Sequence, residues 1–152
     1  MARRDKINYY LDLADIVSQR GTCLRRRYGA VIVKDDEIIS TGYNGAPRGM
    51  PNCDELGYCF REREQIPHGE RYESCRSVHG EANAIISASR RDMLGAILYL
   101  AGKEADNSPV FDAEPCAMCK RLIINAGIST VIVLGRDNEI KRTSVKDWVN
   151  YA

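Results

Sequence analysis

The sequence predicts an α/β domain of three layers, α/β/α, around a mixed sheet with an antiparallel N-terminal hairpin and parallel following strands. Two apolar runs, residues 28–34 and 37–43, flank Asp35-Asp36, a pair suited to the tight turn of a hairpin. Two further apolar runs, 96–101 and 129–134, bracket a helical stretch, and strand–helix–strand with uniformly apolar strands implies a parallel crossover. A length of 152 residues suits one domain that buries its own core, so residues 1–152 are read as a single unit.

The elements follow in order. Ile7, Tyr10, Leu11, Ala14 and Val17 recur at the spacing of one helical face, and Gly21 supplies a stop. The hairpin 28–43 comes next. Residues 44–78 form a polar, Gly/Pro-rich stretch without periodicity, and so long a loop inside a compact domain is ordinarily functional or held by something. Residues 79–91 read as a helix, punctuated by Gly95. Residues 116–126 read as another, opened by Pro115 and closed by Gly127. Val145, Trp148 and Val149 suit a last short helix.

Composition excludes several functions. With 22 Lys+Arg against 21 Asp+Glu the net charge is +1, which gives no broad electrostatic footprint for nucleic acid. Arg3-Arg4 and Arg25-Arg26-Arg27 read as solvated surface. No apolar run approaches a membrane span, and the N-terminus has no hydrophobic signal core, so a cytoplasmic protein without membrane or nucleic-acid partners is expected.

Six cysteines, Cys23, Cys53, Cys59, Cys75, Cys116 and Cys119, are many for such a chain, and in a reducing compartment they suit ligands better than disulfides. Catalytic zinc takes three protein ligands and keeps a fourth position open, and His79, Cys116 and Cys119 supply three. Both groups open predicted helices, whose positive ends favour the thiolates that a metal needs. His79 and Glu81, two apart, share one site only at a helix mouth, where Glu81 can shuttle protons beside the metal. A lone C-x-x-C more often marks a structural or redox pair. Here the preceding proline and the paired His79-Gly80-Glu81 reproduce H-x-E…P-C-x-x-C, the signature of zinc nucleobase deaminases.

Over nearly its whole length the chain resembles the cytidine/deoxycytidylate deaminase superfamily, and within it the deoxycytidylate (dCMP) deaminases. Besides the zinc motifs, the marks are Gly29-Ala30-Val31-Ile32-Val33, the run from Thr41 through Gly42-Tyr43-Asn44-Gly45-Ala46-Pro47-Arg48 to Gly49, CAMCKRLIINAG from Cys116 to Gly127, and the long insertion before His79. The resemblance implies a cytidine-deaminase-like fold and hydrolysis of dCMP to dUMP and ammonia, for pyrimidine deoxynucleotide synthesis. Zn2+ on His79, Cys116 and Cys119 would activate the water that attacks C4, and Glu81 would protonate N3 and then help ammonia leave. Backbone N–H groups around Gly80, where the family usually has Ala, would hold the base carbonyl. Asn44 would contact the sugar, and Arg48 would lie near the 5′-phosphate.

The resemblance also implies a homo-oligomer, a hexamer or smaller, activated by dCTP and inhibited by dTTP with Mg2+. It implies a second, structural zinc that uses Cys23 and Cys53. His68 and Cys75 complete the preferred set and would clip the 44–78 loop, with Cys59 as the spare; buried free thiols are the alternative. Arg90, 11 positions after His79 on one predicted helix, would lie roughly 16 Å along its axis and reads as a solvated helix end.

Rival substrates are dCTP, free deoxycytidine and the adenosine of a tRNA anticodon. Near-neutral charge disfavours the tRNA, and the insertion disfavours the free nucleoside. A rival of another class is a non-catalytic zinc protein, such as a nucleotide-binding or DNA-uptake module. Glu81 separates the two, because a structural metal has no use for a proton shuttle.

Overall fold

The computed structural model describes residues 1–150. Five strands form one sheet in the order β2-β1-β3-β4-β5. They are β1 (Arg26–Lys34), β2 (Glu37–Tyr43), β3 (Ile97–Glu104), β4 (Thr130–Leu134) and β5 (Ile140–Ser144). The β1–β2 hairpin turns through Asp35 and Asp36, both left-handed with φ of 51° and 62°, as a two-residue hairpin loop of this hand requires. The β1–β3 and β4–β5 pairs are antiparallel and β3–β4 is parallel, so the sheet is mixed with one parallel pair. The fifth strand corrects the sequence reading. Its residues IKRTS lie at the sheet edge and are exposed or half-buried, so the strand carries no apolar run.

Burial on both faces explains the apolar strands. Along β1, Ala30 and Ile32 point to one side and Val31 and Val33 to the other, all buried. Helix α1 (Lys6–Ser18) lays Tyr10, Leu11 and Ala14 on Val31, Val33, Tyr99 and Ile132. Asp5 caps it, its side chain accepting from the Asn8 N–H. The opposite face carries α4 (Gly80–Ile86), α5 (Arg90–Met93), α6 (Ala117–Ala126) and α7 (Val145–Val149). Ala84, Met93, Ile123 and Val145 pack there on Ile32, Leu98, Leu100 and Val131. Each fully buried aliphatic side chain contributes about 1.5–3 kcal/mol.

Gly42 sets how closely α4 meets the sheet, because a Cβ there would collide with Ala84 N and Gly80 O. The helix expected over 79–91 is two helices. Ser89 starts the second by accepting from the Asp92 N–H at 3.3 Å, and its hydroxyl donates to the Asp92 carboxylate at 3.0 Å. Arg90 therefore turns back, its Nε donating to Asn125 O at 2.8 Å near the C-terminus of α6. The 44–78 stretch contains two single turns, α2 (Cys53–Leu56) and α3 (Phe60–Arg63), and a 3-10 turn at Tyr72–Ser74. Among its residues the buried apolar side chains are Cys53 and Ile66.

Candidate active site

The mouths of α4 and α6 meet on one side of the sheet. His79 and Cys116 are the two N-cap residues, both extended, with ψ of 154° and 169°. That conformation aims each side chain across its helix mouth instead of along a helical face. Cys119, one turn into α6, completes the group. His79 Nδ1 lies 3.5 Å from Cys116 Sγ and 3.4 Å from Cys119 Sγ. All three ligand atoms fall within 4.8 Å of one another, and among the described residues no other set of three His, Cys, Asp or Glu does so.

The donor set fits zinc. Bonds of about 2.3 Å to sulfur and 2.0–2.1 Å to nitrogen at a tetrahedral angle put nitrogen and sulfur about 3.6 Å apart, close to the spacing here. Three protein ligands leave one tetrahedral position for water or substrate. The charges agree with the chemistry. A hydrogen bond from the Cys119 thiol, assisted by His79, pulls Cys116 down to about 4. The same bond and burial push Cys119 up. Hydrogen bonding to Cys116, then to Cys75, raises His79 to about 10.

Glu81 is 5% exposed, in the first turn of α4 and beside Cys119. Burial pushes its carboxyl above the ordinary range. A buried carboxyl whose hold on a proton is strengthened, next to a metal ligand set, is a proton carrier by chemistry and position.

His79, Glu81 and Cys116 line a cleft of about 1350 Å³, with Gly80, Tyr28 and Asn44 in its wall. A Cβ at Gly80 would stand 3.2 Å from Gly42 O and Tyr28 O, so the glycine lets α4 settle against two strand carbonyls. Buried Asn44 bridges β1, with Oδ1 accepting from Tyr28 N–H and Nδ2 donating to Arg26 O, both at 2.9 Å. One amide hydrogen remains for a ligand. Arg48 is exposed and outside the cleft lining. The basic run read as solvated surface contributes two cleft residues. Arg25 pairs with Glu62 at 3.1 Å and Arg26 with Glu104 at 2.9 Å.

The residues expected to hold a second zinc are more loosely grouped. Cys23, Cys59 and Cys75 influence the Cys53 thiol, which burial raises first, but no three of these sulfurs and His68 share a ligand position. His68 is exposed and stands edge-on to the Tyr72 ring at 6.4 Å. Cys75 instead acts on His79, helping to keep its imidazole protonated. The loop expected to carry a metal clip is tied by Arg61, 3% exposed, which donates to the carbonyls of Pro67, Glu70 and Arg71. Arg61 and Tyr72 were not legible as site residues, since an aperiodic loop gives no spacing that pairs them.

A His–Cys–Cys set facing a buried carboxyl, at two helix mouths of a mixed α/β sheet, defines the class of zinc-dependent hydrolytic centres. The family model of the cytidine and deoxycytidylate deaminase zinc-binding region matches residues 4–135. The chain belongs to that family. A deoxycytidylate deaminase of Mycobacterium phage D29 is 38% identical over 137 residues, covering 87% of this chain and 96% of the relative. That of Schizosaccharomyces pombe is 35% identical over 126 residues, 82% of this chain but 35% of the relative, so the chain spans about a third of the yeast protein. The fold matches the dCMP deaminase from cyanophage S-TIM5 in apo form with a TM-score of 0.62 and 24% identity, over 90% of this chain and 89% of that one.

Proposed function

We propose that the chain hydrolyses dCMP to dUMP and ammonia. The observation that carries the chemistry is Glu81, buried beside the His79–Cys116–Cys119 set at the base of the cleft. The shared name of the phage and yeast relatives supports the substrate. Zinc, when bound, supplies a Lewis acid that brings water toward ionisation near neutral pH.

Glu81 takes the proton that water loses as oxygen bonds to C4, and delivers it to N3. The same carboxylate then takes the proton of the new C4 hydroxyl and passes it to the amino nitrogen as the C4–N bond breaks and C4=O forms, so water and dCMP yield dUMP and ammonia. The first N–H groups of α4, at Gly80 and Glu81, have no partner within the helix and suit the base carbonyl. The free amide hydrogen of Asn44 suits a sugar hydroxyl. Six free cysteines suit a reducing, cytoplasmic setting. Among the described residues no helix is long and apolar enough to cross a membrane.

The test is product chromatography with the zinc-loaded protein, offered dCMP, dCTP, deoxycytidine and CMP separately, each with and without dCTP or dTTP–Mg2+ as effector. The reading expects dUMP and ammonia from dCMP, and an effector response if the regulated homo-oligomeric type extends to this chain. No product from any substrate at full zinc occupancy would overturn the reading and favour a non-catalytic zinc module.

A further inference from the structure

Tyr72 belongs to no sequence motif, yet its ring stands edge-on to the His79 imidazole, with centroids 5.4 Å apart and planes at 81°. The same ring is covered by the Arg61 guanidinium, whose central carbon lies 4.5 Å from the ring centroid. Arg61 is 3% exposed, and its charge is met by three carbonyl oxygens and this ring instead of a carboxylate. Burying a guanidinium in this way is costly, so its retention asks for a structural return. The accepting carbonyls fix the backbone directly before Tyr72. Among them is that of Arg71, held in the left-handed region at φ 47°.

His79 needs such support. It caps a helix of seven residues and makes no side-chain capping bond that would fix its ring. Imidazole ligands are ordinarily oriented by groups outside the ligand set, and loss of those groups costs metal affinity. The turn that carries Tyr72 also brings Cys75 to the ring. The Ser74 N–H donates to Arg71 O and the Cys75 N–H to Tyr72 O.

We propose that Arg61 and Tyr72 form a strut that fixes the plane of the His79 imidazole and so aims Nδ1 at the point shared with Cys116 and Cys119. Both are positioning residues, and the proposal rests on the zinc-deaminase reading of that site. The planar fork of Arg61 serves three carbonyls and a ring at once, which the single ammonium of a lysine cannot do.

The test follows zinc release from the zinc-loaded protein into excess chelator, with the Co2+ absorption spectrum and kcat and KM for dCMP measured alongside. Tyr72→Leu is expected to release zinc about tenfold faster or more and to lower kcat more than it raises KM, whereas Tyr72→Phe stays within about twofold of wild type. Arg61→Met should resemble Tyr72→Leu, Arg61→Lys should not restore the wild-type rate, and the double variant should release zinc no faster than the faster single one. Should the Arg61 variants fail to fold, the Phe–Leu pair at Tyr72 decides alone. Wild-type zinc release and an unchanged Co2+ spectrum in Tyr72→Leu would overturn the strut, as would equal release from the Phe and Leu variants. A wild-type protein that holds zinc but deaminates no cytosine nucleotide would overturn the function while leaving the zinc-release comparison to decide the strut. A wild-type protein that binds no zinc would overturn both.

Discussion

Cys116 and Cys119 sit one turn apart at the mouth of α6, on a helix whose Ile123 and Ala126 are buried in the main core. Cys53, Cys59 and Cys75 sit on a stretch with two buried apolar side chains, tied down mainly by backbone turns and Arg61. Packed helices converge the first pair with His79 to within 4.8 Å, a spacing that no three of Cys23, Cys53, Cys59, Cys75 and His68 reach. Ligand chemistry is similar in both regions. What separates them is whether the elements carrying the ligands are fixed by burial that owes nothing to the metal.

The largest expected break comes from the ligands themselves. His79→Ala or Cys116→Ser should abolish bound zinc and deamination together while the far-ultraviolet spectrum stays native, because the core beneath is apolar and metal-independent. Retention of stoichiometric zinc in either variant would show that the helix mouths do not form the site. Gly42→Ala comes next. Its methyl collides with Ala84 N and Gly80 O, so α4 must move off β2 at a cost of about 1–3 kcal/mol or more, read as a lowered denaturant midpoint. A midpoint equal to wild type would mean that α4 is not seated as described.

Proton release sharpens the electrostatic half of the comparison. In the zinc-free protein at pH 7.5, Cys116 is already a thiolate, whereas His79, raised to about 10, and Cys119, pushed up by its bond to Cys116, hold their protons. Zinc binding should therefore release about two protons, measured by calorimetry in buffers of different ionisation enthalpy. The sign follows: apparent affinity rises with pH, by about two protons' worth below the His79 value near 10 and by about one above it, where only Cys119 still has a proton to lose. Release of fewer than about one proton would contradict these charge states. The smallest effect belongs to the loop. Cys53→Ser should leave the zinc-to-protein ratio at about one and cost about 1–2 kcal/mol for burying a hydroxyl. A fall in metal content from about two to about one would instead show a second metal there.

Much of this was legible along the chain because the informative spacings are short. His79 and Glu81, or Cys116 and Cys119, are read within one helical turn, and Pro115 and Gly127 mark the limits of α6. The apolar strands were equally plain, since cover on both faces removes alternation. Legibility failed where a contact joins residues that no period relates. Strand β5 has one half-protected edge and no apolar run, Ser89 restarts a helix that apolar spacing would have continued, and Arg61 finds its carbonyl partners through loop geometry. Asn44 shows a middle case. Its turn was readable as a site, but the amide spends two of its hydrogen bonds on the β1 backbone.

In the proposed reaction Glu81 carries protons at the His79–Cys116–Cys119 centre. Glu81→Gln keeps the size of the side chain and removes its proton transfer. The most direct measurement is kcat for dCMP alongside zinc content in this variant. A zinc-to-protein ratio equal to wild type is expected, with kcat reduced by about 10²–10⁴. A fully loaded variant turning over at the wild-type rate would contradict it.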